Sequence, residues 1–272
     1  MTKLQVWATV TEAYRAIWTH RWALLRFAAI PFVLIVAIDL ASLELGQDYG
    51  VSPSGGELDA WPSRALALSQ AGQVLGALIA IAFVVPCYRL LLLGPVVVKG
   101  GESWPARRVY LAMVALTLVL TVLMEGPMTF VDFMLESSGG RFWPIVGLSY
   151  FAVFLLIAVR LAFLYPAICL GERWQLSTRW RQTAGNFWRL LAVYSLSLLP
   201  LLIASVLWVA SEDLWEGTAL GTSTSAAAVE SLLSTLDWLV GEALWAAVTV
   251  VAFATLTGYP AKGVRVLGRP TG

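Results

Sequence analysis

Two arginines lie where a charged side chain is costly. Arg89 and Arg160 each sit inside a long apolar run, a few residues before a proline, Pro95 and Pro166. A guanidinium there has two chemistries open to it. It can bind carbonyls that the prolines free, or pair with a carboxylate, and so lock helices together. It can also line a polar cavity for an anionic headgroup or substrate. Three carboxylates, Asp39, Glu125 and Glu242, fall nearer the far ends of other apolar runs. They could form a proton or cation path, or simply be solvated near an interface. No histidine continues them into a relay, since His20 is the only one.

Other catalytic chemistry has little to stand on. The two cysteines, Cys87 and Cys169, have neither CxxC nor metal spacing and read as small buried hydrophobes. A GxSxG elbow, a phosphate loop, an HExxH helix and an EF-hand loop are all missing. The expectation is a protein that is not an enzyme, with no cofactor and no metal. Net charge is +1, so there is no basic footprint for nucleic acid.

The elements that must carry these residues follow from composition. Of 272 residues, 59% are hydrophobic and only 13% charged. A water-soluble domain is about 25% charged, so lipid is the main solvent here. A hydrocarbon core of about 30 Å takes roughly 20 apolar residues as a helix. Six segments qualify: Trp22–Leu43, Val74–Val98, Val109–Val131, Trp143–Leu170, Phe187–Ala210 and Leu236–Tyr259. The runs are continuous rather than alternating, which excludes a β-barrel. The first run is too long for a signal peptide. The fold class expected is all-α integral membrane, one domain over residues 1–272.

Charge orients the spans. Lys3, Arg15, Arg21, Lys99, Arg107, Arg108, Arg173, Arg179, Arg181, Arg189, Lys262, Arg265 and Arg269 fall at the termini and in the second and fourth connections. The other connections hold only Arg64 and Arg141. Basic residues gather on the cytoplasmic side, so both termini are expected inside. Tryptophans near the ends of the runs suit the headgroup region. Residues 1–20 place Leu4, Trp7, Tyr14 and Trp18 on one helical face and read as an interfacial amphipathic helix. A second such helix is expected around Trp174–Ala184, broken from the fifth span at Gly185-Asn186. Gly72, Gly76 and Ala80 form a ridge of small residues on the second span that would permit close helix contact.

The chain also repeats itself. Arg89-Leu90, Leu93, Pro95, Gly101-Glu102 and Trp104 align with Arg160-Leu161, Leu164, Pro166, Gly171-Glu172 and Trp174, with one single-residue gap. Tyr14-Arg15, Trp22 and Leu24-Leu25 parallel Trp180-Arg181, Trp188 and Leu190-Leu191. Tyr259-Pro260 echoes Tyr165-Pro166, with Ala254 where the arginine would stand. The unit is an interfacial helix, a span out, a span back and a Pro-Gly exit. Two-span copies keep their orientation, which argues against inverted-repeat transporters.

The stretch from Arg160 to Leu191, with its Tyr-Pro-Ala-Ile, Gly-Glu, Arg-rich helix and Gly-Asn-Phe-Trp-Arg-Leu-Leu, resembles a known family. That family is the bacterial six-helix membrane domain fused to some glycerophosphodiester phosphodiesterases and also found as free-standing inner-membrane proteins. The N-terminal stretch up to Pro31 is similar too. The resemblance implies a fold and an inner-membrane location rather than an activity, and no phosphodiesterase domain lies in these residues. The partners expected are membrane lipids and a membrane-protein complex. A transporter or channel subunit for a small anionic or amphipathic substrate is the alternative.

Overall fold

A computed structural model describes the backbone of residues 3–48, 62–95, 107–138, 143–172, 175–215 and 224–264, and side chains within 3–41, 75–95, 107–123, 145–172, 175–208 and 229–264 apart from 230. Among the described residues there are eight α-helices and no strand. They are α1 (Val6–Asp48), α2 (Pro62–Leu93), α3 (Arg107–Ser138), α4 (Trp143–Leu161), α5 (Leu164–Cys169), α6 (Leu176–Ala184), α7 (Phe187–Trp215) and α8 (Thr224–Thr257).

Five of them carry segments long and apolar enough to cross a membrane: Val6–Ala41, Leu75–Leu93, Ile145–Cys169, Phe187–Trp208 and Ser231–Thr257. The run expected over Val109–Val131 falls on α3, whose side chains beyond 123 lie outside the described residues. Helices overrun the apolar segments because lipid offers no partner to an unpaired N–H or C=O, and helical bonds satisfy both beyond the apolar limit.

The arrangement is a bundle with a small-residue centre. α8 packs against α1, α2 and α7, and α2 packs against α1, α3 and α5. The apolar windows of α8 and α2 are 67% and 56% buried, against 17–22% for those of α1, α4 and α7. Composition explains the difference. α8 presents Ala243, Ala246, Ala247, Val250, Ala252 and Ala254 inward, all buried, and short side chains let backbones approach. The outer helices turn bulky groups away from the protein: Ile30 and Val33, Leu148 and Val153, Leu202 and Leu207 are all exposed. α2 supplies the bulk that fills the space against this small-residue face, burying Phe83, Tyr88 and Leu90 to Leu92. Ala247→Leu should therefore cost about 2 kcal/mol by overpacking. Leu202→Ala on the outer face should cost well under half of that, read as melting temperatures in one detergent.

Three expected boundaries move. α1 is one unbroken helix, so the amphipathic segment of residues 1–20 and the first span are continuous. Its 43 residues measure about 64 Å, twice a hydrocarbon core. The fourth span is split: α4 stops at Leu161, Ala162-Phe163 form a turn, and α5 resumes at Leu164 with Pro166 in its first turn. The helix of the second span ends at Leu93, because Gly94 turns left-handed there, and the expected end at Val98 lies outside the described residues. The ridge of small residues also differs from expectation. Ala80 is buried, but a Cβ on Gly76 would meet nothing within 4 Å.

Candidate functional site

Three glycines with positive φ, Gly94 (79°), Gly171 (77°) and Gly258 (74°), end α2, α5 and α8. The Gly94 N–H donates to the Leu90 carbonyl at 2.9 Å and the Gly258 N–H to the Ala254 carbonyl at 3.0 Å. Both are single-bond left-handed caps. At Gly171 two bonds form, Gly171 N–H to Ile168 O at 2.8 Å and Glu172 N–H to Ala167 O at 3.0 Å, the Schellman pattern. Each cap still leaves last-turn carbonyls without an intrahelical donor.

Arg89 serves one of them. Its Nη1 donates to the carbonyl of Cys169, in the last turn of α5, at 3.2 Å. This places a cation at a helix C-terminus, where the helix dipole favours it. The chain beyond α8 serves two more. Lys262 N–H donates to Leu92 O and Gly263 N–H to Leu91 O, both at 3.0 Å, so residues 258–264 close the end of α2. His20 holds this strap in place. Its Nε2 lies 3.0 Å from the Gly263 carbonyl, which can only accept, so that nitrogen carries the proton.

Arg160 sits in a different setting. Its guanidinium carbon lies 5.3 Å from the Trp180 ring centre and 5.4 Å from that of Phe187. Its Nη1 approaches the Trp180 carbonyl at 3.4 Å, and its buried Nε has no acceptor. The Arg160 carbonyl lies 3.4 Å from the Thr183 hydroxyl. α6 thus lies over the end of α4. It is pinned there by Arg179, one of the basic residues expected on the cytoplasmic side, which is 5% exposed. Arg179 pairs with Glu172, bonds Gln182 Oε1 at 3.0 Å and stacks over Phe253 at 5.4 Å. Tyr259 stands 6.0 Å from Phe253. Burial, then the nearby Glu172 carboxylate, pushes its phenol above the usual range, so it stays neutral.

The first turn of α1 docks on the same region. Leu4, expected on an interfacial face, is buried, and its N–H donates to Asn186 Oδ1 at 3.1 Å. Arg189 Nη1 bonds its carbonyl at 3.2 Å. Trp7, Trp18 and Trp22 remain exposed along α1, with Arg21 stacked 4.7 Å from the Trp18 ring.

The carboxylates do not converge. Asp39 accepts from the Ser231 hydroxyl at 3.1 Å, fastening α1 to α8. Asp237, not singled out by the sequence, lies 3.2 Å from Ser205 Oγ, between α8 and α7. Glu242 is carried to the middle of α8, because that helix begins at Thr224 rather than Leu236. It lies within electrostatic reach of Cys87 and Tyr165, and no bond reaches its carboxylate among the described residues. Glu125 is on α3, with its side chain outside the described residues, as are Gly101, Glu102, Trp104 and Trp174 entirely. Pro95 is exposed just past Gly94, while Pro166 is buried in α5.

A core hydroxyl pair also went unread in the sequence. Thr249 Oγ1 donates to the Trp245 carbonyl at 2.7 Å, so the Tyr194 hydroxyl 2.8 Å away must donate to it. Tyr194 stacks on Trp245 at 3.9 Å. Removing this hydroxyl in Tyr194→Phe should cost about 1 kcal/mol in an unfolding titration. The signal for this pair, one Tyr and one Thr on separate spans, has no spacing to reveal it. Compared with family models, characterised proteins and solved structures, the chain matches none of them.

Proposed function

We propose that this is a non-catalytic, multi-pass protein of the bacterial inner membrane that binds lipid and organises a membrane-protein complex. One observation carries the reading. Polar side chains inside the bundle fasten helix to helix: Arg89 to Cys169, Asp39 to Ser231, Asp237 to Ser205, Tyr194 to Thr249, and Tyr14 to the Ser197 carbonyl at 2.7 Å. Such bonds hold one packing arrangement and do not line a path. The exposed Trp7, Trp18, Trp22, Trp180 and Trp188 suit a headgroup belt.

Six spans with both termini cytoplasmic belong to this proposal, as do two two-span units and a degenerate third. Basic residues support the first, and the three left-handed glycines at the ends of α2, α5 and α8 support the second. The resemblance to the membrane domain of glycerophosphodiester phosphodiesterases is compatible with both. A reporter fused after Gly272, or placed within Lys99–Arg108, should read cytoplasmic, and one within Gly46–Ser63 external. A reversal of either removes the topology.

The function is tested by purification in mild detergent with mass spectrometry of everything retained. Stoichiometric lipid or a protein partner is the expected result. Solute or ion flux in proteoliposomes would instead support a transporter or channel subunit for a small anionic or amphipathic substrate. The observation favouring that reading is the break of the fourth span at Ala162-Phe163, beside Arg160.

A further inference from the structure

We infer that Arg160, between the rings of Trp180 and Phe187, binds the phosphate of an anionic lipid headgroup. This rests on the lipid-binding reading above and names its site. The inference starts from a charge balance. Among the described residues, Arg179 is paired with Glu172 and Arg15 with Glu12, and Arg89 caps Cys169. Arg160 has no carboxylate partner among them.

Its hydrogen bonding is equally incomplete. A guanidinium carries five N–H donors. The bond to the Trp180 carbonyl, at 3.4 Å, is long, and Nε is buried without an acceptor. The aromatic walls at 5.3 and 5.4 Å hold the guanidinium but leave its charge. A half-buried cation at the end of α4, with no carboxylate on it among the described residues, suits an anion brought by a ligand. A phosphate fits, since two of its oxygens accept the parallel N–H pair of arginine.

The lipid source follows from the surroundings. Trp180 is 39% exposed and Trp188 76%, the amphipathic kind of ring found at the headgroup level. Arg181, on α6 next to Trp180, is exposed and adds a second cation to that helix. The outer faces of α4 and α7 that lead to the site are apolar, with Leu156 and Leu199 exposed, as acyl chains require.

The test is native mass spectrometry of the full chain released from nanodiscs of equal phosphatidylglycerol and phosphatidylcholine. Wild type should keep phosphatidylglycerol preferentially. Arg160→Gln should lower its retention about tenfold, the loss of one charge-assisted contact. Arg89→Gln, whose bond goes to the protein, should keep it. Arg160→Lys preserves the charge and loses the fork, so it should fall in between; it serves as the reading if Arg160→Gln does not fold. If wild type keeps phosphatidylglycerol and folded Arg160 variants keep as much, the site is overturned and the lipid-binding reading stands. If wild type keeps none, that reading itself fails. Displacement of the lipid by inorganic phosphate would move the occupant from lipid to free anion and overturn the headgroup assignment.

Discussion

Gly263→Ala should lower the melting temperature by roughly 10 °C, the largest single-methyl effect expected in this chain. The cause is steric. A Cβ at Gly263 would stand 2.4 Å from the Leu90 carbonyl oxygen, 2.6 Å from that of Leu91 and 2.7 Å from the Leu91 Cα. All three are backbone atoms of a buried helix and cannot rotate away. The strap must lift, and the Leu91 and Leu92 carbonyls then lose their donors. The cost is about 3 kcal/mol, the upper part of the usual range for forced insertion. Gly171→Ala is the control. Its φ of 77° is strained for alanine, but nothing lies within 4 Å of the added methyl. It should cost about 1 kcal/mol. Equal melting temperatures for the two variants would show that the strap carries no stability.

Glu172→Gln should be the second-largest change, and it should exceed Arg179→Met. The two residues form an ion pair whose arginine side chain is 7% exposed and whose glutamate is 43% exposed. Removing the glutamate charge leaves a buried guanidinium with Gln182 and the Phe253 face only. Removing the arginine leaves a carboxylate that water can reach. Buried pairs broken from one side cost about 3–5 kcal/mol. Solvent screening of Glu172 brings the expected loss nearer 2 kcal/mol, with Arg179→Met at about half of that. The double variant should match Arg179→Met alone, since the unpaired cation is then gone. An Arg179→Met loss above that of Glu172→Gln would show that packing of the long side chain, not charge, pins α6.

The spans were legible in the sequence because the bilayer allows few alternatives. An apolar run without internal partners must be a helix, and its residues name it directly. Which helix lies at the centre was not read from the sequence: the alanines and valines of 243–254 carry it, but Gly72, Gly76 and Ala80 drew attention first. A glycine outside a contact and a glycine inside one look alike in a sequence. The continuity of α1 was hidden by the polar His20-Arg21. Both are absorbed: His20 meets Gly263 across the fold, and Arg21 turns back on its own helix to donate to the Trp18 carbonyl at 2.8 Å. Arg89 and Arg160 were identifiable as residues that need partners. Their partners were not, because a carbonyl at Cys169 and a ring at Trp180 leave no mark in spacing. The burial of Arg179 left no mark for the same reason, since its acid, Glu172, and its ring, Phe253, come from two other segments.

The position of α8 sets the order in which the molecule is made. Translation delivers α1, α2 and α7 to the membrane before the helix against which they pack. Until α8 arrives, the buried faces of α1 and α2 must meet lipid or each other, and the Leu91 and Leu92 carbonyls at the end of α2 have no strap to donate to them. Insertion of α8 is therefore a keystone step, joining α1, α2 and α7. The strap that follows it is the latch. A ribosome stalled between Gly241 and Gly258 should leave a chain that is inserted yet open, accessible to protease and to membrane chaperones. Release past Val264 should close it in a single cooperative event.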